Sequence, residues 1–211
     1  MKQAAVGFRA HSGWAAMVAF CVENGKPRVL ARERVQLVGT FTYQFRQPYH
    51  TAEKLPLVEA RGFVAGVERE SQKLAGQAIH AVQSELHKQR IALTRCALLM
   101  ASGRTLPSLE KILASHALIH AADGELFREA LSLAATRSGL ETIKIREQEL
   151  VRSGARTLRI QPAALLRRLR ELGKHLGPPW SQDEKFAMLA AWLCLRGIKN
   201  WNPSPGFLSR R

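Results

Sequence analysis

At 211 residues with 46% hydrophobic content, the chain is long enough to bury a core and too apolar to be a disordered segment. Its 32 Lys and Arg against 17 Asp and Glu leave a net charge of +15, a field that favours polyanions, with nucleic acid the leading partner class, and disfavours cationic partners. Cys21, Cys96 and Cys194 are odd in number and have no CxxC spacing, which argues against a disulfide framework or a thiolate zinc knuckle and points to a reducing cytoplasm.

The first forty residues read as three strands. AAVGFRA, WAAMVAFCV and PRVLARERVQL are rich in small, β-branched and aromatic residues, and the turn-forming stretches HSG and ENGKP separate them. ENGKP carries the Asn-Gly pair that suits a two-residue hairpin. The apolar run at residues 14–22 is far shorter than the roughly 20 residues that span a bilayer, and no signal peptide is read, so no membrane partner is expected. In the third strand Val29, Ala31, Glu33 and Val35 alternate with Leu30, Arg32, Arg34 and Gln36, which predicts one basic face.

After a loop through RQPYH, apolar residues recurring at three and four predict one long helix over 52–90. LTRCALLMA then reads as a strand buried on both faces, and it ends in the glycine-bearing loop SGRTLP. A helix is expected over 108–120, a break at Asp123-Gly124, and a second helix over 125–137 closed by Ser138-Gly139. ETIKIR alternates as a fifth strand. Three helical stretches follow: EQELVRSGA, AALLRRLRELGKHLG, and, after a GPPW corner, SQDEKFAMLAAWLCLRG. The expected organisation is one domain over 1–197 with a basic tail over 198–211. Hairpins make the first three strands an antiparallel meander, and the two strands reached through helices are placed parallel to the first. The fold class is α/β, a mixed five-stranded sheet flanked by helices.

This element order resembles the RNase H-like superfamily, and the final helices look like its Holliday-junction resolvase (RuvC-like) branch. The stretch GFRAHSGWAAMVAF is similar to that family's opening strand and turn, and QDEKFAMLAAWLCL to its closing helix, where an Asp precedes an alanine-rich run. The resemblance implies a nuclease that holds magnesium or manganese with three or four carboxylates. Carried over by position, Arg9 stands where the opening Asp belongs. Met100-Ala101-Ser102 stands where a Glu belongs, and Asp183 or its neighbour Glu184 stands at the final carboxylate. Ser181-Gln-Asp-Glu184 also fits a capping box, in which Glu184 and Ser181 satisfy free backbone N–H groups.

His116 and His120 share a helix face at i and i+4, a spacing that can chelate one ion. Asp123 or Glu125 could supply the third ligand. Two other readings stay open for the histidines: the edge of a buried stripe of Leu113, Ala117, Leu118 and Ala121, with Asp123 capping the next helix, or an acid/base role in a substrate groove. A rearranged nuclease site draws on Asp183, Glu184, Glu59, Asp123, His116 and His120, with Asp183 and Asp123 as the metal ligands.

Arg9, His11 and Ser12 occupy the turn after the first strand, where an Arg in place of an acid would pair with phosphate. Arg104 lies in the glycine-bearing loop, at a strand-loop-helix junction whose backbone N–H groups can hold an anion. Between residues 144 and 175 nine Lys or Arg face three Glu, and Leu166, Leu169, Leu172 and Leu176 are expected to mark the buried side of a helix. Arg167, Arg168, Arg170 and Lys174 on its other sides are the expected phosphate contacts.

The leading expectation is a nucleic-acid-binding protein, either a binding module or a divergent metal-dependent nuclease. Its alternatives are an enzyme on the same scaffold acting on a small phosphorylated or acidic substrate, and a non-catalytic assembly subunit. A second copy of the chain, as a homodimer, is also an allowed partner.

Overall fold

The computed structural model describes residues 1–101 and 105–198. Arg104 and, from residue 199 on, the expected basic tail lie outside the described residues.

Five strands form one sheet in the order β3-β2-β1-β4-β5. Strands β1 (Lys2–His11), β2 (Trp14–Glu23) and β3 (Lys26–Gln36) form the antiparallel meander. The β2–β3 turn uses Asn24 at φ 51° and Gly25 at φ 73°, the two positive values that a type I′ hairpin requires. Strand β4 (Ile91–Met100) adds parallel to β1, and β5 (Glu141–Arg146) parallel to β4, as the connections through helices demand.

The basic alternation expected in β3 is interrupted. Ala31 pairs with Ala19 while Val29 pairs with Phe20, so Leu30 is an extra residue in a bulge. The bulge resets the phase: Ala31 and Val35 pack with one core, and Val29 packs with the other. Arg32 and Arg34 keep a common face.

Between β3 and the long helix the chain forms two short helices absent from the sequence reading, α1 (Tyr43–Arg46) and α2 (Pro48–Ala52). Helix α3 is therefore shorter than expected, Leu57–Lys88, with Pro56 just outside it at the N-cap position. After β4 come α4 (Leu109–Leu113) and α5 (His116–Arg137). The break falls at residues 114–115, not at Asp123-Gly124, which lies inside a continuous helix. Restarting the helix at His116 shifts its phase, so the buried side carries Ile119, Ala122, Asp123 and Leu126, while Ala117 and Ala121 are exposed.

A 3-10 turn at Glu147–Glu149 follows β5. Helices α6 (Leu150–Leu158), α7 (Pro162–Gly173) and α8 (Gln182–Leu195) complete the chain. In α7 the buried side is led by Leu165 and Leu169, and Leu166 is 37% exposed, one residue out of phase with the expectation.

Strand β1 divides two cores. Ala4, Val6 and Phe8 face α3 and α5, whereas Ala5 faces α6, α7 and α8. Helix α8 is buried all round from Ala187 to Cys194, as a helix must be when sheet and helices enclose it. Phe8, Phe20 and Phe127 are each fully buried, and each such side chain contributes about 1.5–3 kcal/mol of transfer free energy.

Candidate functional site

The carboxyl ends of β1, β4 and β5 lie along one edge of the sheet, and the functional side chains gather there on the α8 face. A register match brings them together. Gly7 of β1 lies against Ala187 of α8, where a Cβ would be 1.9 Å from the Ala187 carbonyl oxygen. Two residues along the strand, about 6.6–6.8 Å, and four residues back along the helix, about 6.0 Å, are similar distances. Arg9 and Asp183 therefore meet.

The guanidinium of Arg9 sits between two carboxylates. Its Nη1 donates to Asp183 Oδ1, its Nη2 donates to Glu147 Oε1 at 2.6 Å, and its Nε reaches both Glu147 oxygens at 3.2 Å. His11 Nε2 stands 2.8 Å from the same Asp183 oxygen. Hydrogen bonding to Glu147 raises the Arg9 pKa further above its ordinary value. Burial pushes the Asp183 carboxyl upward, but His11 and Arg9 outweigh it and hold its pKa below the usual aspartate value. Arg9 and His11 belong to β1 itself, so only Ser12 and Gly13 make the turn assigned to them from sequence.

The approach to α8 is fixed from both sides. Arg32 of β3 donates to the carbonyls of Leu176, Gly177, Pro178 and Pro179, with the Leu176 and Gly177 bonds at 2.5 and 2.9 Å. Trp180 packs on Gly173 and donates from Nε1 to the Leu169 carbonyl at 2.8 Å. The capping box then forms: the Asp183 N–H donates to Ser181 Oγ at 3.0 Å, and the Ser181 N–H donates to Glu184 Oε2 at 2.7 Å. Glu184 thus turns back to the cap, leaving Asp183 as the residue of this pair that faces Arg9.

Beside this cluster runs a file of rings and cations. His11 stacks on Trp14 at 4.4 Å with planes 14° apart. Arg34 lies over Trp14 at 4.1 Å and over Phe41 at 5.4 Å, and Arg46 covers Phe41 at 4.5 Å. Residues 167, 168, 170 and 174 of the expected basic helix are exposed on the α8 side of the sheet. Arg168 covers Trp192 at 5.0 Å, and Lys174 pairs with Glu171 at 2.6 Å.

The other predicted residues lie across the sheet. Glu59 is exposed in the first turn of α3. Asp123 is 3% exposed on α5, which packs in the opposite core from α8, so it and Asp183 do not form a pair. Nor does Asp123 cap a helix over 125–137, as it lies within α5: its Oδ1 accepts the Tyr49 N–H in the first turn of α2 at 2.7 Å and its Oδ2 contacts His50 Nδ1. Burial raises the Asp123 pKa despite these partners, and burial likewise raises that of Glu125, which pairs with Arg128 at 3.3 Å. His116 and His120 face one another, Nε2 to Nε2 at 3.0 Å. Their neighbour is His50, not a carboxylate.

Sequence reasoning placed Arg34 on the basic face of β3 but passed over His50, Glu147, Trp14, Phe41 and Arg46 as site residues. Glu147 had a signal, because it directly follows a parallel strand at the edge where ligands of open sheets bind. His50 had none, since no spacing links it to residues 116 and 120.

The donors at the α8 edge do not fit a two-magnesium centre. Magnesium needs converging oxygen ligands, and here a permanently charged guanidinium fills the space between the two carboxylates, while β4 ends in Met100-Ala101. The cation is supplied by the chain itself.

Among solved structures the chain is similar to T. thermophilus RuvC in complex with a Holliday junction substrate, at 14% identity and a TM-score of 0.50 over 90% of each chain. It also matches a Thermus thermophilus RuvC structure at 14% identity and a TM-score of 0.47, over 89% of this chain and 90% of that one. No family model and no curated protein matches the sequence. With the sheet order β3-β2-β1-β4-β5 and α8 lying across β1, the chain has the RNase H-like fold in its RuvC form.

Proposed function

We propose that this chain binds nucleic acid through the α8 side of its sheet without running two-metal phosphodiester hydrolysis at the Arg9–Asp183 position. The observation that carries the reading is the Arg9 guanidinium held between Glu147 and Asp183. It neutralises both carboxylates, of which Asp183 stands where the resemblance places a metal ligand, and a second cation placed there would be repelled.

Three further features support binding. The net charge is +15. Arg167 and Arg170 have no carboxylate partner among the described residues, which leaves them available to phosphate. The rings and guanidinium planes of His11, Trp14, Arg34, Phe41 and Arg46 suit stacking against unpaired bases. RuvC, which shares the fold, has been captured on a Holliday junction, so branched DNA is the first substrate to try.

Fluorescence anisotropy across a KCl series, using a four-way junction, duplex and single strand, tests the reading, with incubation in magnesium read on a gel. Binding that falls steeply with salt, with intact DNA, is expected. Absence of binding even at low salt overturns the binding claim. Cleavage abolished by EDTA and by Asp183→Asn overturns the claim about hydrolysis.

A further inference from the structure

On the face of the sheet away from Arg9, α2 and α5 bring three imidazoles together. His50, His116 and His120 each offer a ring nitrogen within 4.8 Å of the other two. The rings meet edge to face, with centroids 4.4 Å apart for His50–His120, 4.5 Å for His116–His120 and 5.4 Å for His50–His116.

The cluster is built asymmetrically. His50 is buried, and its Nδ1 is committed to Asp123, which is also buried and anchored by the Tyr49 N–H. That leaves Nε2 of His50 as its free donor. A carboxylate on the far nitrogen of an imidazole fixes the tautomer, aims the ring and raises its basicity, which is the usual support for a metal-ligating histidine. His116 and His120 are exposed and turn Nε2 toward each other at 3.0 Å. Nitrogens sharing one tetrahedral ion stand about 3.3 Å apart, given bonds of about 2.0–2.1 Å, so this pair needs little movement and His50 a small swing.

We propose that His50, His116 and His120 form a binding site for one zinc-like divalent transition-metal ion, with Asp123 as the residue that orients His50. Three neutral nitrogen donors suit zinc, cobalt, nickel or copper and are poor ligands for magnesium. No fourth His, Cys, Asp or Glu joins the group among the described residues, so the remaining position faces solvent and can take water or a phosphate oxygen. The bound ion also bridges α2 to the first turns of α5. This site is independent of the nucleic-acid reading, since it uses none of the residues on the α8 face.

The test is zinc uptake by the full chain after EDTA treatment and desalting, read by calorimetry and by metal analysis after gel filtration. Cobalt serves as a spectroscopic probe. One zinc per chain and a tetrahedral cobalt absorption band are expected. Affinity should drop at least tenfold in His116→Ala and in His120→Ala, which are exposed positions that leave the core untouched, and stay unchanged in His87→Ala. Asp123→Asn should weaken binding about 10- to 100-fold, in line with the loss of an outer carboxylate. No zinc uptake, or uptake indifferent to His116→Ala and His120→Ala, overturns the site and leaves the His50–Asp123 pair as a tie between two helices.

Discussion

Gly7 and Ala187 touch backbone to backbone: a Cβ on residue 7 would lie 1.9 Å from the Ala187 carbonyl oxygen and 3.0 Å from the Ala191 nitrogen. A helix buried on all sides cannot retreat from such a clash, because Met188 to Cys194 are packed on every side. This contact sets the height of α8 over β1, and with it the meeting of Arg9 and Asp183.

Gly7→Ala is therefore expected to destabilise the chain by about 3 kcal/mol, the upper part of the usual range for overpacking. Urea unfolding of the variant measures it. A change below about 0.5 kcal/mol, the size typical of surface positions, would show that the close approach is not a constraint.

Arg9→Ala leaves two partly buried carboxylates, Glu147 and Asp183, facing each other without their shared cation. A stability loss of about 2 kcal/mol is expected, as for charge-assisted hydrogen bonds. Arg9→Asp goes further and creates an acidic donor set with Glu147 and Asp183. Its melting temperature should rise with added magnesium while that of the parent chain does not, and differential scanning calorimetry with and without the ion decides the matter.

The depressed pKa of Asp183 fixes a sign for acid stability. A carboxyl whose folded value lies below its unfolded value of about 3.9 stabilises the fold fully at higher pH and loses that contribution as pH falls through the folded value. Asp183→Asn should flatten the fall in unfolding free energy between about pH 5 and 3, measured by denaturant titration at each pH. An acid limb as steep as in the parent chain would place the sensitivity elsewhere.

Exposed Arg167 and Arg170 on α7 are expected to contact phosphates. Arg167→Glu with Arg170→Glu should weaken DNA binding across all sequences and lower the slope of log affinity against log salt by about 2, close to one unit per lost contact. Stability should stay within about 0.5 kcal/mol of the parent, since neither residue is packed. An unchanged salt slope would remove α7 from the interface.

Much of the architecture is legible in local pattern. The Asn-Gly turn, the alternation of ETIKIR and the apolar run of β4 each carry their own period or turn chemistry, so three hairpin strands and two crossover strands follow from sequence. The capping box of Ser181 and Glu184 is a contact of residues three apart and is equally legible. Helix phase is less so. The short break at residues 114–115 carries no Gly or Pro, whereas Asp123-Gly124 does, and continued packing of Ile119, Ala122 and Leu126 against the sheet carries the helix through it.

The sequence by itself determined the five strands, the existence of the longer helices and the net positive charge, because these depend on composition and periodicity. Only the tertiary structure decided what surrounds each functional group. Glu147 reaches Arg9 across 138 positions of chain, and Asp183 across 174. His50 joins His116 and His120 because α2 packs on α5 and Asp123 is buried between them. Contacts so distant in sequence leave no spacing to read, since they exist only once both faces of the sheet are covered.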